Sequence, residues 1–147
     1  MNIDELISRA KNASKKSYSP YSHFAVGACV LTKSGKFYEG CNFENASFGL
    51  TICAERNAIG SAIADGEREL EAIAIYSPKM TDCLPCGACR QVIAEFGNDD
   101  TKIITLAEEG IKVRTLAELL PGCFNFLQIF PCHLMQGCCH SKLLLQD

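Results

Sequence analysis

The 147-residue sequence has no excess of positive charge, since 14 lysines and arginines stand against 17 aspartates and glutamates for a net charge of −3. A chain that binds nucleic-acid phosphates or an anionic membrane ordinarily carries a basic patch. We therefore expect neither a nucleic acid nor a membrane among its partners. Hydrophobic residues make up 48% and charged residues 21%, proportions typical of a globular domain that exclude wholesale disorder.

Long apolar runs are also missing. The longest uncharged stretch, residues 119–141, is interrupted by prolines, amides, glycines and histidines, unlike a transmembrane helix. The first ten residues carry Asp4, Glu5 and Arg9 where a signal peptide would be apolar, so we expect a cytoplasmic protein. In that compartment, ten cysteines indicate metal ligands, a catalytic thiol or small buried side chains rather than a disulfide framework.

The spacing of apolar residues predicts alternating helices and strands. Residues 24–32 are apolar at odd and even positions, which is typical of a central strand covered on both faces. The pattern predicts an α/β domain with a mixed sheet and helices on both faces. Predicted helices cover residues 2–16, 53–64, 86–96 and 115–120, and predicted strands cover 24–32, 36–43, 70–76, 102–107 and 111–115.

Residues 125–147 differ in character from residues 1–124, which we expect to form a single domain. The last 23 residues are apolar and cysteine-rich, have almost no charge and show no clear period. We treat them as an atypical C-terminal tail for which the sequence predicts no structure.

Two fragments, TICAERNA and LPCGACRQV, combine residue types that suit a metal site, and each opens a predicted helix. Cys86 and Cys89 have i, i+3 spacing, so one helical turn brings their sulfurs together. A C-x-x-C pair often supplies two of the thiolates around zinc. A helix N-terminus stabilises a thiolate further. The candidate residues are Cys53, Glu55, Arg56, Cys86, Cys89 and Arg90.

Spacing alone leaves three interpretations open for these cysteines. They suit a four-thiolate structural zinc site with Cys41 or Cys83 as the fourth ligand, a redox-active dithiol, or an open three-thiolate catalytic site. Glu55 favours the catalytic site, because a structural thiolate site has no use for another anion whereas a reaction can use it as a base. Arg56 and Arg90 either offset the excess negative charge or are solvated helix-face residues.

The pattern C-x-E … P-C-x-x-C resembles the signature of the zinc-dependent nucleoside deaminases. Four blocks, YSPYSHFAVGA, GCNFENASFGLTICAERNAIG, PCGACRQVIAEF and LAELLPGCF, are similar to the small cytidine deaminases of pyrimidine salvage. The resemblance covers about residues 17–124. It implies a three-layer αβα fold around a mixed five-stranded sheet and one zinc ion per chain. The implied reaction is hydrolysis of cytidine and 2′-deoxycytidine to uridine and 2′-deoxyuridine plus ammonia.

The resemblance also implies roles for individual residues. Cys53, Cys86 and Cys89 are expected to ligate zinc, and Glu55 to shuttle protons. The implied assembly is a homotetramer whose sites are completed by neighbouring subunits. The expected substrate contacts are Phe24, Asn42, Glu44 and Ala54, with Ala46, Phe48 and Phe124 reaching across between subunits. Without the resemblance, Phe24 is interpreted as a core aromatic residue, and Asn42 and Glu44 are interpreted as part of a polar turn.

The sequence departs from the family pattern directly after Phe124, where members usually continue with a polar or acidic tail. Two other functions remain open: deamination of a modified nucleoside, and a structural-zinc interaction module without catalysis. Polynucleotide editing is disfavoured by the net charge of −3. A second metal cluster is superficially suggested in the tail by Cys132, His133, Cys138, Cys139 and His140, although C-x-x-C spacing is absent there.

Overall fold

The computed structural model describes residues 1–124, in which the helices and strands follow the predicted order. None of these helices is both apolar enough and long enough to cross a bilayer. The helices are α1 (Ile3–Ser14), α2 (Ala54–Ala64), α3 (Gly87–Phe96) and α4 (Leu116–Leu119), and the strands are β1 (Gly27–Thr32), β2 (Phe37–Cys41), β3 (Leu70–Tyr76), β4 (Lys102–Ala107) and β5 (Gly110–Thr115).

The five strands form one mixed sheet in the order β2-β1-β3-β4-β5. Neighbouring strands are antiparallel except β3 and β4, which are parallel. A parallel pair needs a crossover connection, and α3 supplies it. The predicted mixed five-stranded sheet is therefore confirmed.

Strand β1 lies at the centre of the three layers, and all six of its residues are buried. Ala28 and Val30 pack on the face that is covered by α2 and α3. Cys29 and Leu31 alternate with them and pack against α1 on the other face. The prediction of a central strand covered on both faces is confirmed, and the sheet is sandwiched between helices.

Gly40 of β2 allows α2 to lie directly on the backbone of the sheet. A Cβ atom at this position would lie 2.3 Å from the nitrogen of Ala58 and 2.6 Å from the carbonyl oxygen of Ala54. Only glycine leaves room for so close an approach between two backbones. Gly40 therefore sets the distance between the sheet and the first turns of α2.

Candidate active site

Three cysteines from two helix N-termini converge at one end of the helical layer. Cys53 is the N-cap of α2, Cys86 is the N-cap of α3, and Cys89 lies in the first turn of α3. Their Sγ atoms all lie within 4.8 Å of one another. Cys41 and Cys83 lie outside this group, so residues 1–124 bring together three thiol ligands and not the four of a closed structural site.

The local environment favours negative charge on these sulfurs. Neither N-cap cysteine side chain caps its helix, and the partial positive charge of each helix N-terminus stabilises a nearby thiolate. Arg56, one turn into α2, donates from Nη2 to the Sγ atom of Cys53 at 3.6 Å and to the carbonyl oxygen of Thr51 at 3.1 Å. Arg56 is thus positioned to offset charge on the cluster.

The clustered thiols shift one another's pKa in opposite directions. Hydrogen bonding with Cys89, together with Arg56, lowers the pKa of Cys53 to about 5. The same bond raises the pKa of Cys89, which is fully buried. A set of three converging sulfurs has the chemistry that zinc selects, and it supplies three of the four ligands that zinc usually takes.

Glu55 lies beside the cluster in the first turn of α2, where its side chain is buried. Burial raises the pKa of its carboxyl group, and the negative charge of Cys53 raises it further. The sulfurs of Cys53 and Cys89 are close enough to shift the pKa of the Glu55 carboxyl group, which places this group beside the cluster. A carboxyl group whose pKa is shifted toward neutrality can both take up and release a proton during a reaction.

The sequence and the fold both match known proteins. A family model described as "Cytidine and deoxycytidylate deaminase zinc-binding region" matches residues 1–107. The chain belongs to this deaminase family. The matched region contains all three clustered cysteines and Glu55, so the site described above lies within the region that the family model matches.

Individual relatives in the family are similar over most of the chain. The cytidine deaminase of Sporosarcina psychrophila is 44% identical over 126 residues, which is 85% of this chain and 93% of that protein. The cytidine deaminase of Halalkalibacterium halodurans is 46% identical, covering 85% and 96%. The crystal structure of cytidine deaminase from Burkholderia pseudomallei matches with a TM-score of 0.79 and 43% identity over 84% of this chain and 100% of that one.

Asn42, predicted to contact the ribose, is held by hydrogen bonds within the chain. Its Oδ1 atom accepts from the Ser17 hydroxyl at 2.6 Å and from the backbone N–H of Val26 at 2.8 Å, and Nδ2 donates to the carbonyl oxygen of Phe24 at 2.8 Å. The ribose contact stays a prediction.

Phe24 lies three residues ahead of β1, so its predicted place at the start of the central strand is wrong. The side chain of Asn42 bonds the backbone of Phe24 and Val26, groups that a strand ladder would otherwise use. The half-buried ring of Phe24 packs against the core between the sheet and the helices α2 and α3. Ala54 is fully buried at the first position of α2. Their predicted contacts with the pyrimidine remain predictions.

Glu44 orders the loop that precedes β1. Its carboxylate accepts hydrogen bonds from the backbone N–H groups of Tyr21 at 2.9 Å and Ser22 at 3.2 Å, and from the Ser22 hydroxyl. The bond from the Ser22 hydroxyl is the main reason why the pKa of Glu44 is lowered. Glu44 is therefore an anionic acceptor at neutral pH, and its contact with ribose stays a prediction.

The residues expected to reach across between subunits are exposed. Phe48 is 73% exposed and Phe124 is 65% exposed, and Ala46 is also exposed. The ring of Phe48 meets the ring of Tyr21 edge to face, with their centroids 5.7 Å apart. Their exposure is compatible with contacts to a neighbouring subunit, which remain a prediction.

Arg90 occupies a different position from Arg56. It donates from Nε to the carbonyl oxygen of Pro85 at 2.8 Å and from Nη1 to that of Leu119 at 2.7 Å. These bonds join the loop before Cys86 to the end of α4, and a charge-balancing role for Arg90 stays a prediction. The predicted tail cluster of Cys132, His133, Cys138, Cys139 and His140 lies outside the described residues.

Sequence reasoning missed Gly40 as a determinant of the site. This residue packs against the turn of α2 that carries Glu55 and follows Cys53. A glycine within an otherwise regular strand is a known signal of a close backbone approach.

Proposed function

We propose that the chain is a zinc-dependent hydrolase that deaminates cytidine to uridine and ammonia. The observation that carries this proposal is the convergence of three sulfurs within 4.8 Å of one another, with the buried carboxyl group of Glu55 beside them. The similarity to proteins described as cytidine deaminases supports the choice of substrate. We extend the proposal to 2′-deoxycytidine because the family description also names deoxycytidylate deaminases.

Cys53, Cys86 and Cys89 would hold one zinc ion per chain. When bound, zinc lowers the pKa of a coordinated water and so supplies a nucleophile at neutral pH. Thiolates donate electron density and weaken this acidification, which makes a neighbouring base necessary. Glu55 is the buried carboxyl group in position to act as that base.

Glu55 handles the protons of the reaction. It accepts a proton from the attacking water as the oxygen atom bonds to C4 of the pyrimidine, and it delivers this proton to N3. It then carries the remaining hydroxyl proton to the amino group, so that the C4–N bond breaks and ammonia leaves. One water is consumed, and C4 ends as a carbonyl group, which balances the conversion of cytidine to uridine.

The same proposal includes the assembly and location of the enzyme. We propose a homotetramer with sites shared between subunits, supported by the exposed aromatic rings of Phe48 and Phe124. Sedimentation velocity should show a species of four chains, and a monomer at working concentration would contradict it.

The seven cysteines of residues 1–124 are all unpaired, which supports a reducing compartment such as the cytoplasm.

One purified sample tests the catalytic proposal by two measurements, zinc content by elemental analysis and loss of cytidine absorbance. We expect one zinc ion per chain together with turnover. Cys89→Ala should lose zinc, whereas Cys83→Ala, which alters a buried cysteine outside the cluster, should keep it. Full zinc retention by Cys89→Ala, or zinc-loaded protein without turnover, would contradict the proposal. Two zinc ions per chain would indicate a second metal site, for which the cysteines and histidines of residues 125–147 are the candidates.

A further inference from the structure

An ion pair outside the cluster fastens the loop that delivers Cys86. Asp82 lies on this loop, between β3 and α3, and accepts two hydrogen bonds from Arg114 of β5, at 2.8 and 2.6 Å. It also accepts one from the hydroxyl of Thr105 of β4 at 2.6 Å. Its backbone N–H donates to the carbonyl oxygen of Leu106 at 2.8 Å. The loop is thus tied to the last two strands of the sheet.

The backbone at Asp82 has an uncommon conformation. Its φ angle of +52° lies in the left-handed region, which residues other than glycine adopt uncommonly. The side-chain bonds to Arg114 and Thr105 hold the residue there, and they lower the pKa of Asp82 to about 2. The carboxylate is therefore charged throughout the neutral range, and the ion pair persists across it.

The segment from Asp82 to Cys86 is fixed at both ends. Asp82 anchors its start, and Cys83 is buried in the core between the sheet and the helices α2 and α3. Near its end, the carbonyl oxygen of Pro85 accepts a hydrogen bond from Nε of Arg90. Cys86 itself is exposed, unlike the fully buried Cys89 in the first turn of α3. Burial therefore holds Cys89 in place. The position of Cys86 depends instead on its backbone, whose carbonyl oxygen accepts from the Arg90 N–H at 3.0 Å, and on the anchored loop that precedes it.

We propose that the Asp82–Arg114 pair is a positioning device that holds the Cys86 sulfur where zinc requires it. This inference rests on the proposed three-thiolate site. Asp82 lies four residues before the ligand, so the pair acts by ordering the loop and not by contact with the metal. Removing residues that orient metal ligands typically lowers metal affinity about 10–100-fold. We expect Asp82→Asn or Arg114→Gln to weaken zinc binding by about tenfold or more.

The experiment compares Asp82→Asn, Arg114→Gln and the double variant with the wild-type chain. Zinc affinity is measured by competition with a chromophoric chelator, and the absorption spectrum of the cobalt(II)-loaded protein reports ligand geometry. Asp65→Asn is the matched control, because Asp65 accepts from Lys36 at 3.1 Å and from the Tyr38 hydroxyl near the opposite edge of the sheet. Circular dichroism of each apoprotein checks folding.

We expect both single variants to lose affinity and to alter the cobalt spectrum. The double variant should lose no more than the more affected single variant, and Asp65→Asn should match the wild type. Wild-type affinity and spectra in both single variants would overturn the proposal, as would an equal loss in Asp65→Asn. If Asp82→Asn fails to fold, Arg114→Lys takes its place. Lysine keeps the positive charge but cannot donate the two hydrogen bonds that arginine forms with the Asp82 carboxylate. Unchanged zinc affinity in Arg114→Lys would also overturn the proposal.

The same measurements separate this inference from the proposed function. If the wild-type chain binds no zinc, or if Cys86→Ser binds it as tightly as the wild type does, the metal site itself is wrong. If Cys86→Ser loses zinc while Asp82→Asn and Arg114→Gln behave like the wild type, the metal site stands and only the positioning role fails.

Discussion

Replacing Gly40 with alanine tests whether the packing of α2 on the sheet sets the geometry of the site. The added methyl group would meet backbone atoms, at 2.3 Å from the nitrogen of Ala58 and 2.6 Å from the carbonyl oxygen of Ala54. Neither atom belongs to a flexible side chain that can rotate away. The helix, which carries Glu55 in its first turn, must therefore move away from β2.

The size of the effect follows from these distances. Ordinary contacts begin at 3.4 Å, so the first turns of α2 must shift by about 1 Å to relieve the contact of 2.3 Å. Overpacking of this kind costs about 1–3 kcal/mol of stability. A misplacement of about 1 Å at a catalytic group costs roughly 100-fold in rate. We therefore expect Gly40→Ala to lower kcat about 100-fold while the chain still folds.

The assay is steady-state deamination of cytidine well below the melting temperature, with the melting curve recorded on the same sample. Gly60→Ala is the matched control, because Gly60 lies in the same helix with open space around its Cβ position. That substitution should stabilise the protein by up to about 1 kcal/mol and leave kcat unchanged. Wild-type kcat and melting temperature for Gly40→Ala would refute the reasoning.

Three further outcomes are expected. Glu55→Gln should keep zinc and bind cytidine but lose at least roughly 10²–10⁴-fold in turnover, measured by cytidine absorbance; near-normal turnover would remove Glu55 from the mechanism. Free cytosine should be a poor substrate by kcat/KM, because it would leave Asn42 and Glu44 without the ribose, and equal efficiency would dismiss both as ribose contacts. The pKa of Asp82 lies at about 2, below its ordinary 3.8, so its ion pair stabilises the fold fully above pH 4 and loses this contribution as the pH falls through 2. The difference in melting temperature between wild type and Asp82→Asn should therefore shrink over that interval, and a constant difference would contradict the assignment.

The elements could be predicted from the sequence because their signals are local. Residues 70–76 and 102–107 were predicted as strands with the bounds the structure shows, since a short apolar run between turn residues is decided within one segment. The pair of Cys86 and Cys89 was also within reach, because C-x-x-C spacing and a helix N-terminus are both sequence-local features. Spacing alone left a four-thiolate site, a redox-active dithiol and an open three-thiolate site as alternatives, and the resemblance implied the zinc ligand set that includes Cys53. The start of β1 was missed because Asn42, 18 residues further on, bonds the backbone of Phe24.

The residues that position the site carry no such signal. Asp82 and Arg114 are 32 residues apart, and their contact depends on the register of β4 with β5, where Arg114 pairs with Ile103. No spacing rule connects an aspartate in a loop to an arginine two strands later. The partners of Asn42 and Glu44 also lie far away in the sequence, at separations of 16 to 25 residues, so the sequence predicted polar turn residues without predicting which loop they would hold.

The site therefore depends on two kinds of residue that contribute differently. The cysteines and Glu55 supply the chemistry, but they arrive on two separate helices whose N-termini must meet to within a few ångströms. Gly40 fixes α2 against β2, and Asp82 fixes the loop that begins α3 against β4 and β5. The two helices are thus positioned by contacts with opposite edges of the same sheet. A substitution in the sheet that changes none of the cysteines should still move their sulfurs apart. Metal affinity is therefore the most direct measure of whether the sheet holds the two helices in their correct positions.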